Sequence, residues 1–98
     1  MNFAQAMEKK ACDAANFLGG LANEHRLLVL CQLLDGERSV TALIEATDIP
    51  QTSMSQHLAK LKKEGILDFR REHRTLYYYI KDPVVIEIMK MLYERFCR

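Results

Sequence analysis

Apolar residues recur along this chain first at helical spacing, then in strict alternation, then at helical spacing again. That order predicts a mainly α domain carrying a small β-hairpin, with helices one to four, two strands and a fifth helix. Met7, Ala11, Ala14, Ala15 and Leu18 fall on one face of a first helix over residues 3–18, which Gly19 and Gly20 are expected to stop. Asn23 suits the cap of a second helix and Glu24 its positive end. Its stripe of Leu27, Leu30, Cys31 and Leu34 runs to Asp35-Gly36 and puts Cys31 on the core side. Ser39 caps a short third helix with Val40, Leu43 and Ile44, ending near Thr47-Asp48. Pro50 disfavours a helical residue before it and opens a fourth helix running to about Glu64, closed by Gly65. Two short helices joined by three or four residues form a helix-turn-helix, here over about 39–64.

The fourth helix has two chemically distinct sides. Met54, Leu58 and Leu61 point inward, whereas Gln51, Thr52, Ser53, Ser55, Gln56, Lys60 and Lys63 lie on or beside the outer face. A solvated helix face usually mixes Glu with Lys, and this one has no acid before Glu64. Hydroxyls and amides reach base edges and phosphates in a major groove, and the short Ala59 permits close approach. His57 lies between the two sides, and either packing or DNA contact fits it. Beyond Gly65, Leu67 and Phe69 alternate with polar residues, as do Leu76, Tyr78 and Ile80. The two strands make a wing over about 66–80, with Arg70, Arg71 and Arg74 at its tip placed to touch phosphate or a minor groove. Tyr77 and Tyr79 on the other strand face suit packing better than base stacking. Val85, Ile88, Met89, Leu92 and Phe96 form a seam on the last helix, about 83–97. Together with the Ala-rich first helix it exceeds what so small a core needs, so both helices are expected to pair in a homodimer.

Charge sharpens this picture. The net charge is +1, but residues 51 to 81 hold seven Lys/Arg against three Asp/Glu, while residues 1 to 50 hold four against seven. A contiguous basic third is the footprint expected for double-stranded DNA, although a solvated charged face produces such runs too. Ninety-eight residues suit a single domain, and no repeat or linker divides them. The first ten residues read neither as a signal peptide nor as a membrane span, so a cytoplasmic protein is expected. Cys12, Cys31 and Cys97 are odd in number and widely separated, unlike a secreted disulfide framework. No motif supplies the base and oxyanion cradle of a thiol enzyme, and no cofactor is expected. A winged-helix module that binds protein instead of DNA is the remaining alternative, because the fold alone does not fix function.

Asn23 to Leu30 (NEHRLLVL), Ser53 to Leu61 (SMSQHLAKL) and Glu64 to Leu67 (EGIL), with the wing that follows, resemble the ArsR/SmtB family of bacterial regulators. The resemblance covers nearly the whole chain and implies a dimeric winged helix-turn-helix, often a repressor that a signal removes from promoter DNA. The family's metal sites have no match here. The third helix lacks the Cys-x-Cys of one class, and residues 83 to 98 lack the His of another, keeping only Glu87 and Glu94 as acids of that helix. No metal is therefore expected at these positions. One Cys after the RLLVL run and one near the end of the last helix are similar to the BigR, SqrR and HlyU group within the family. For Cys31 and Cys97 that resemblance implies a dithiol responding to oxidant or persulfide, in a repressor or an anti-silencer. Cys12 has no counterpart there and reads as an interface or packing residue. Two alternatives stand beside the dithiol: a thiophilic-metal-responsive repressor, and a regulator whose cysteines are structural.

Overall fold

A capping box in which Asn2 and Gln5 satisfy each other's backbone N–H groups starts α1, Phe3–Glu8, in the computed structural model, which describes residues 2–98. Lys10 N–H donates to Met7 O at 2.9 Å, the chain bends, and α2 runs over Ala11–Leu21. The predicted single helix is thus two, and the break falls at Lys9-Lys10 instead of at the glycines. Gly19 and Gly20 lie within α2, and Gly20 is buried with the Glu64 carboxylate against it.

Asn23 caps α3, Glu24–Leu33, through Arg26 N–H at 3.1 Å, and Ser39 caps α4, Val40–Thr47, through Ala42 N–H at 3.1 Å. Asp48 ends α4 in the left-handed conformation, which Asp tolerates, and Ile49 fills the core at the turn. After Pro50, α5 spans Gln51–Lys63. The intervening turn has the expected length. Gly65, at φ 78°, carries the chain into the hairpin.

Strands β2, Leu67–Glu72, and β3, Thr75–Ile80, pair antiparallel with Glu72 opposite Thr75, so His73-Arg74 is a two-residue loop. His73 takes φ 59°, the role that Asn or Gly fills in most such turns. A further strand, β1 at Arg38–Ser39, pairs with β3 and makes the sheet order β1-β3-β2. Two residues carry no alternation, which is why the sequence did not announce it. Asp82 then caps α6, Pro83–Phe96.

Leu30, Leu43, Ile49, Met54, Leu58, Leu61, Ile66 and Val85 form the centre of the core, where α3, α4, α5, the sheet and α6 meet. α1 contributes no buried residue, and Phe3, Met7 and Leu18 stay exposed. On α6 the predicted seam divides. Val85 and Met89 belong to this chain's own core, Phe96 is exposed, and Val84 and Met91 are exposed on another side of the helix. No helix among the described residues is long and apolar enough to cross a membrane.

Candidate nucleic-acid interface and thiol cleft

Packing of Met54, Leu58 and Leu61 beneath α5 fixes which side of that helix faces out. Gln51, Thr52, Ser55, Gln56, Ala59, Lys60 and Lys63 are exposed, and Ser53 is half-buried at the edge. Lys60 pairs with Glu64 at 2.9 Å along the helix. Lys62 instead reaches over the Phe69 ring and toward Asp68. Three lysines near the helix end also complement its negative pole.

His57 sits apart from that face. Its Nδ1 accepts a hydrogen bond from Arg26 Nε at 3.3 Å, and its ring meets His25 edge-on at 5.5 Å. Arg26 also donates to Gly20 O at 3.1 Å, so one guanidinium ties α2, α3 and α5 together. Burial, then Arg26 and His25, hold the His57 pKa below its ordinary value and keep the acceptor nitrogen unprotonated. Its neighbours make His57 a support for the helix more than a group offered to DNA.

The three wing arginines also differ from one another. Arg70 is held by Glu37 through two carboxylate oxygens, at 2.8 and 2.9 Å from Nε, and by Glu72 at 2.9 Å, and it lies over the Tyr77 ring at 4.6 Å. The hydrogen bonds from Arg70 lower the Glu37 pKa. Arg71 and Arg74 are exposed, with no carboxylate at ion-pairing distance among the described residues. Arg74 joins Gln51 and Ser55 around a cleft of about 300 Å³ that also takes in Ser39, Thr41 and Thr75. Helix and wing therefore converge on one groove, whose lining also includes Val40 and Leu76. Sequence reading missed Thr41, Thr75 and the Glu37 pair, because partners 33 residues apart leave no local pattern.

Cys31 is placed differently from expectation. Cys31 does not face the core: Val29, Leu30 and Leu33 are the buried residues of α3, and Cys31 is exposed one side further round. It opens onto an apolar cleft of about 400 Å³ between α3 and α6, and Cys97 at the end of α6 lines the same cleft. Burial raises the Cys31 pKa, and a thiolate at Cys97 raises it further. Cys12 is exposed on α2 and accepts weakly from Asn16 Nδ2 at 3.8 Å. All three are free thiols, and no group of three or more His, Cys, Asp or Glu that could hold a metal occurs among the described residues.

Comparison with known proteins agrees with this architecture. The family described as bacterial regulatory protein, arsR family, matches residues 23–68, from the cap of α3 to the start of β2. The transcriptional activator HlyU of Vibrio cholerae serotype O1 is 37% identical over 94 residues, spanning 96% of this chain and 87% of that protein. The crystal structure of the transcriptional repressor BigR from Xylella fastidiosa superimposes with a TM-score of 0.89 at 34% identity, covering 100% of this chain and 99% of that one. The homodimeric winged helix-turn-helix DNA-binding domain Mb0332 from Mycobacterium bovis matches with a TM-score of 0.77 at 33% identity, over 88% and 81%. This chain belongs to the ArsR family of bacterial transcriptional regulators, with the DNA-binding winged helix-turn-helix of that family.

Proposed function

We propose that two copies of this chain pair through their first and last helices in the cytoplasm and bind promoter DNA with α5 and the wing, and that the state of Cys31 and Cys97 sets the affinity. Pairing is supported by apolar side chains without partners in the single chain: Phe3, Met7 and Leu18 near the N-terminus, Val84 and Met91 on α6. It also agrees with the homodimeric description of the Mycobacterium bovis domain. DNA contact is assigned to Gln51, Thr52, Ser53, Ser55, Gln56, Lys60, Lys63, Arg71 and Arg74, with Arg70 held partly in reserve by Glu37. Removing that carboxylate should free Arg70 from its bidentate partner and leave only the exposed Glu72 at 2.9 Å. Glu37→Ala is expected to tighten binding to random duplex and to steepen its salt dependence by about one unit in a log-log plot, read by fluorescence anisotropy. An unchanged slope would mean that Arg70 does not reach phosphate.

One observation carries the thiol reading: two cysteines 66 positions apart in sequence line one cleft between α3 and α6. Joining them removes two protons and two electrons and ties the last helix to α3. Because α6 also belongs to the proposed dimer interface, the tie would alter how the two recognition helices are spaced. A bridge regulates only through a free-energy difference between DNA-competent and incompetent states, typically about 1–3 kcal/mol, or 5- to 150-fold. Operator binding is compared for the wild type and Cys31→Ser under reduced, persulfide-treated and peroxide-treated conditions. Treated wild type should shift by a factor in that range while Cys31→Ser stays put. Wild-type affinity unchanged by treatment would sink the switch.

A further inference from the structure

The cleft holding the two thiols is built mostly of hydrocarbon. Leu27 and Leu34 line one side, Met89, Leu92, Tyr93 and Phe96 the other, and Asp35 is the sole charged side chain in its wall. Its volume of about 400 Å³ lies within the range of small-molecule sites. Apolar walls with one fixed negative charge favour an uncharged guest and disfavour an anion. A dithiol open to any oxidant needs no such chamber.

We propose that this cleft selects the oxidant by polarity: an uncharged peroxide or persulfide with an apolar tail, R–X–X–H with X oxygen or sulfur, seats its tail among the α3 and α6 side chains and presents its X–X bond to the thiols. The inference rests on the dithiol reading above and goes beyond it by naming the polarity of the molecule sensed. In the first step one cysteine thiolate attacks the outer X, the X–X bond breaks, and RX⁻ leaves and takes up a proton as RXH. In the second the other thiol displaces the sulfur-bound X–H group, which departs as H₂X, and the sulfur–sulfur bond forms. The sum is two thiols and RXXH giving the disulfide, RXH and H₂X, so the two electrons lost by the cysteines reduce the X–X bond.

Two further features of the molecule fit this reading. Burial and the neighbouring Cys97 raise the Cys31 pKa, which reduces the thiolate available to an oxidant arriving from bulk water. Binding the oxidant beside the pair supplies the missing local concentration. Around α6, at about 100° per residue, Tyr93 points roughly opposite to Val84 and Met91. Pairing through the Val84-Met91 stripe therefore leaves the cleft side of the helix accessible.

Bridge formation is followed by mass spectrometry on the reduced full chain, with cumene hydroperoxide against hydrogen peroxide, and cumyl hydropersulfide against glutathione hydropersulfide. Each rate is divided by that of N-acetylcysteine with the same reagent. The normalised rate should favour the apolar reagent by at least about tenfold, and should saturate with its concentration but rise linearly with hydrogen peroxide. Preference in the oxygen pair alone identifies peroxides as the guest, and in the sulfur pair alone persulfides. Phe96→Asp, on an exposed rim side chain, should abolish the preference, read as the ratio of the two normalised rates, while Phe96→Leu should keep it. Equal normalised rates with linear kinetics for both members of both pairs overturn the selectivity but leave the switch standing. No bridge with any reagent overturns both.

Discussion

Leu61→Ala is expected to destabilise the domain by about 2–5 kcal/mol, a large part of the roughly 5–15 kcal/mol that holds a typical domain folded. Leu61 is fully buried on the inner side of α5 beside Met54 and Leu58, where the helix meets the rest of the core. Truncation removes the transfer free energy of three carbons and leaves a cavity that its neighbours only partly fill. For a domain of this size each kcal/mol corresponds to about 4–8 °C in Tm. Urea denaturation at fixed protein concentration should show the lower midpoint with an unchanged slope. A loss below about 1 kcal/mol would mean that α5 is not seated through this residue. DNA binding by the variant should fall only as the folded fraction falls, for specific and random sequence alike, because Leu61 offers nothing to the groove.

That inner face was legible in the sequence because helical period, a Pro-led start and a closing glycine all agree along residues 50–65. The hairpin was legible for the same reason, through period-two alternation on both sides of a charged tip. Disagreements arose where a distant contact outweighed a local rule. Gly19-Gly20 reads as a stop, yet both residues stay inside α2, with the Glu64 carboxylate packed on Gly20. Cys31 shares a stripe with Leu30, yet the side of α3 that enters the core is set by how the α4 and sheet layers approach it, and this leaves Cys31 at the cleft edge. Arg70 has the same local context as Arg71, but Glu37 lies across the sheet edge from only one of them. Composition along the chain located the basic third. Which of its cations are free depended on pairs that only the fold brings together.

Splitting the DNA contacts by type yields the other large effect. Gln56→Ala is expected to weaken operator binding by about 1–3 kcal/mol, on the order of ten- to a hundredfold, with little change on random duplex. Gln56 is exposed on the outer face of α5, with an amide able to donate and accept at once on a base edge. Arg74→Ala should weaken both duplexes by a similar factor and flatten the salt slope by about 0.9, because a guanidinium on phosphate releases a counterion and reads no sequence. Arg70→Ala should cost less than Arg74→Ala, since Glu37 and Glu72 already neutralise that guanidinium in the free protein. Anisotropy titrations of both duplexes over a range of salt resolve all three variants. Equal losses on operator and random DNA for Gln56→Ala would remove it from base readout and shift sequence recognition toward Thr52, Ser53 and Ser55, whose hydroxyls flank Gln56 on or beside the same outer side of α5. A larger loss for Arg70→Ala than for Arg74→Ala would mean that DNA displaces Glu37, making that surface ion pair a competitor for phosphate and not a fixed part of the wing.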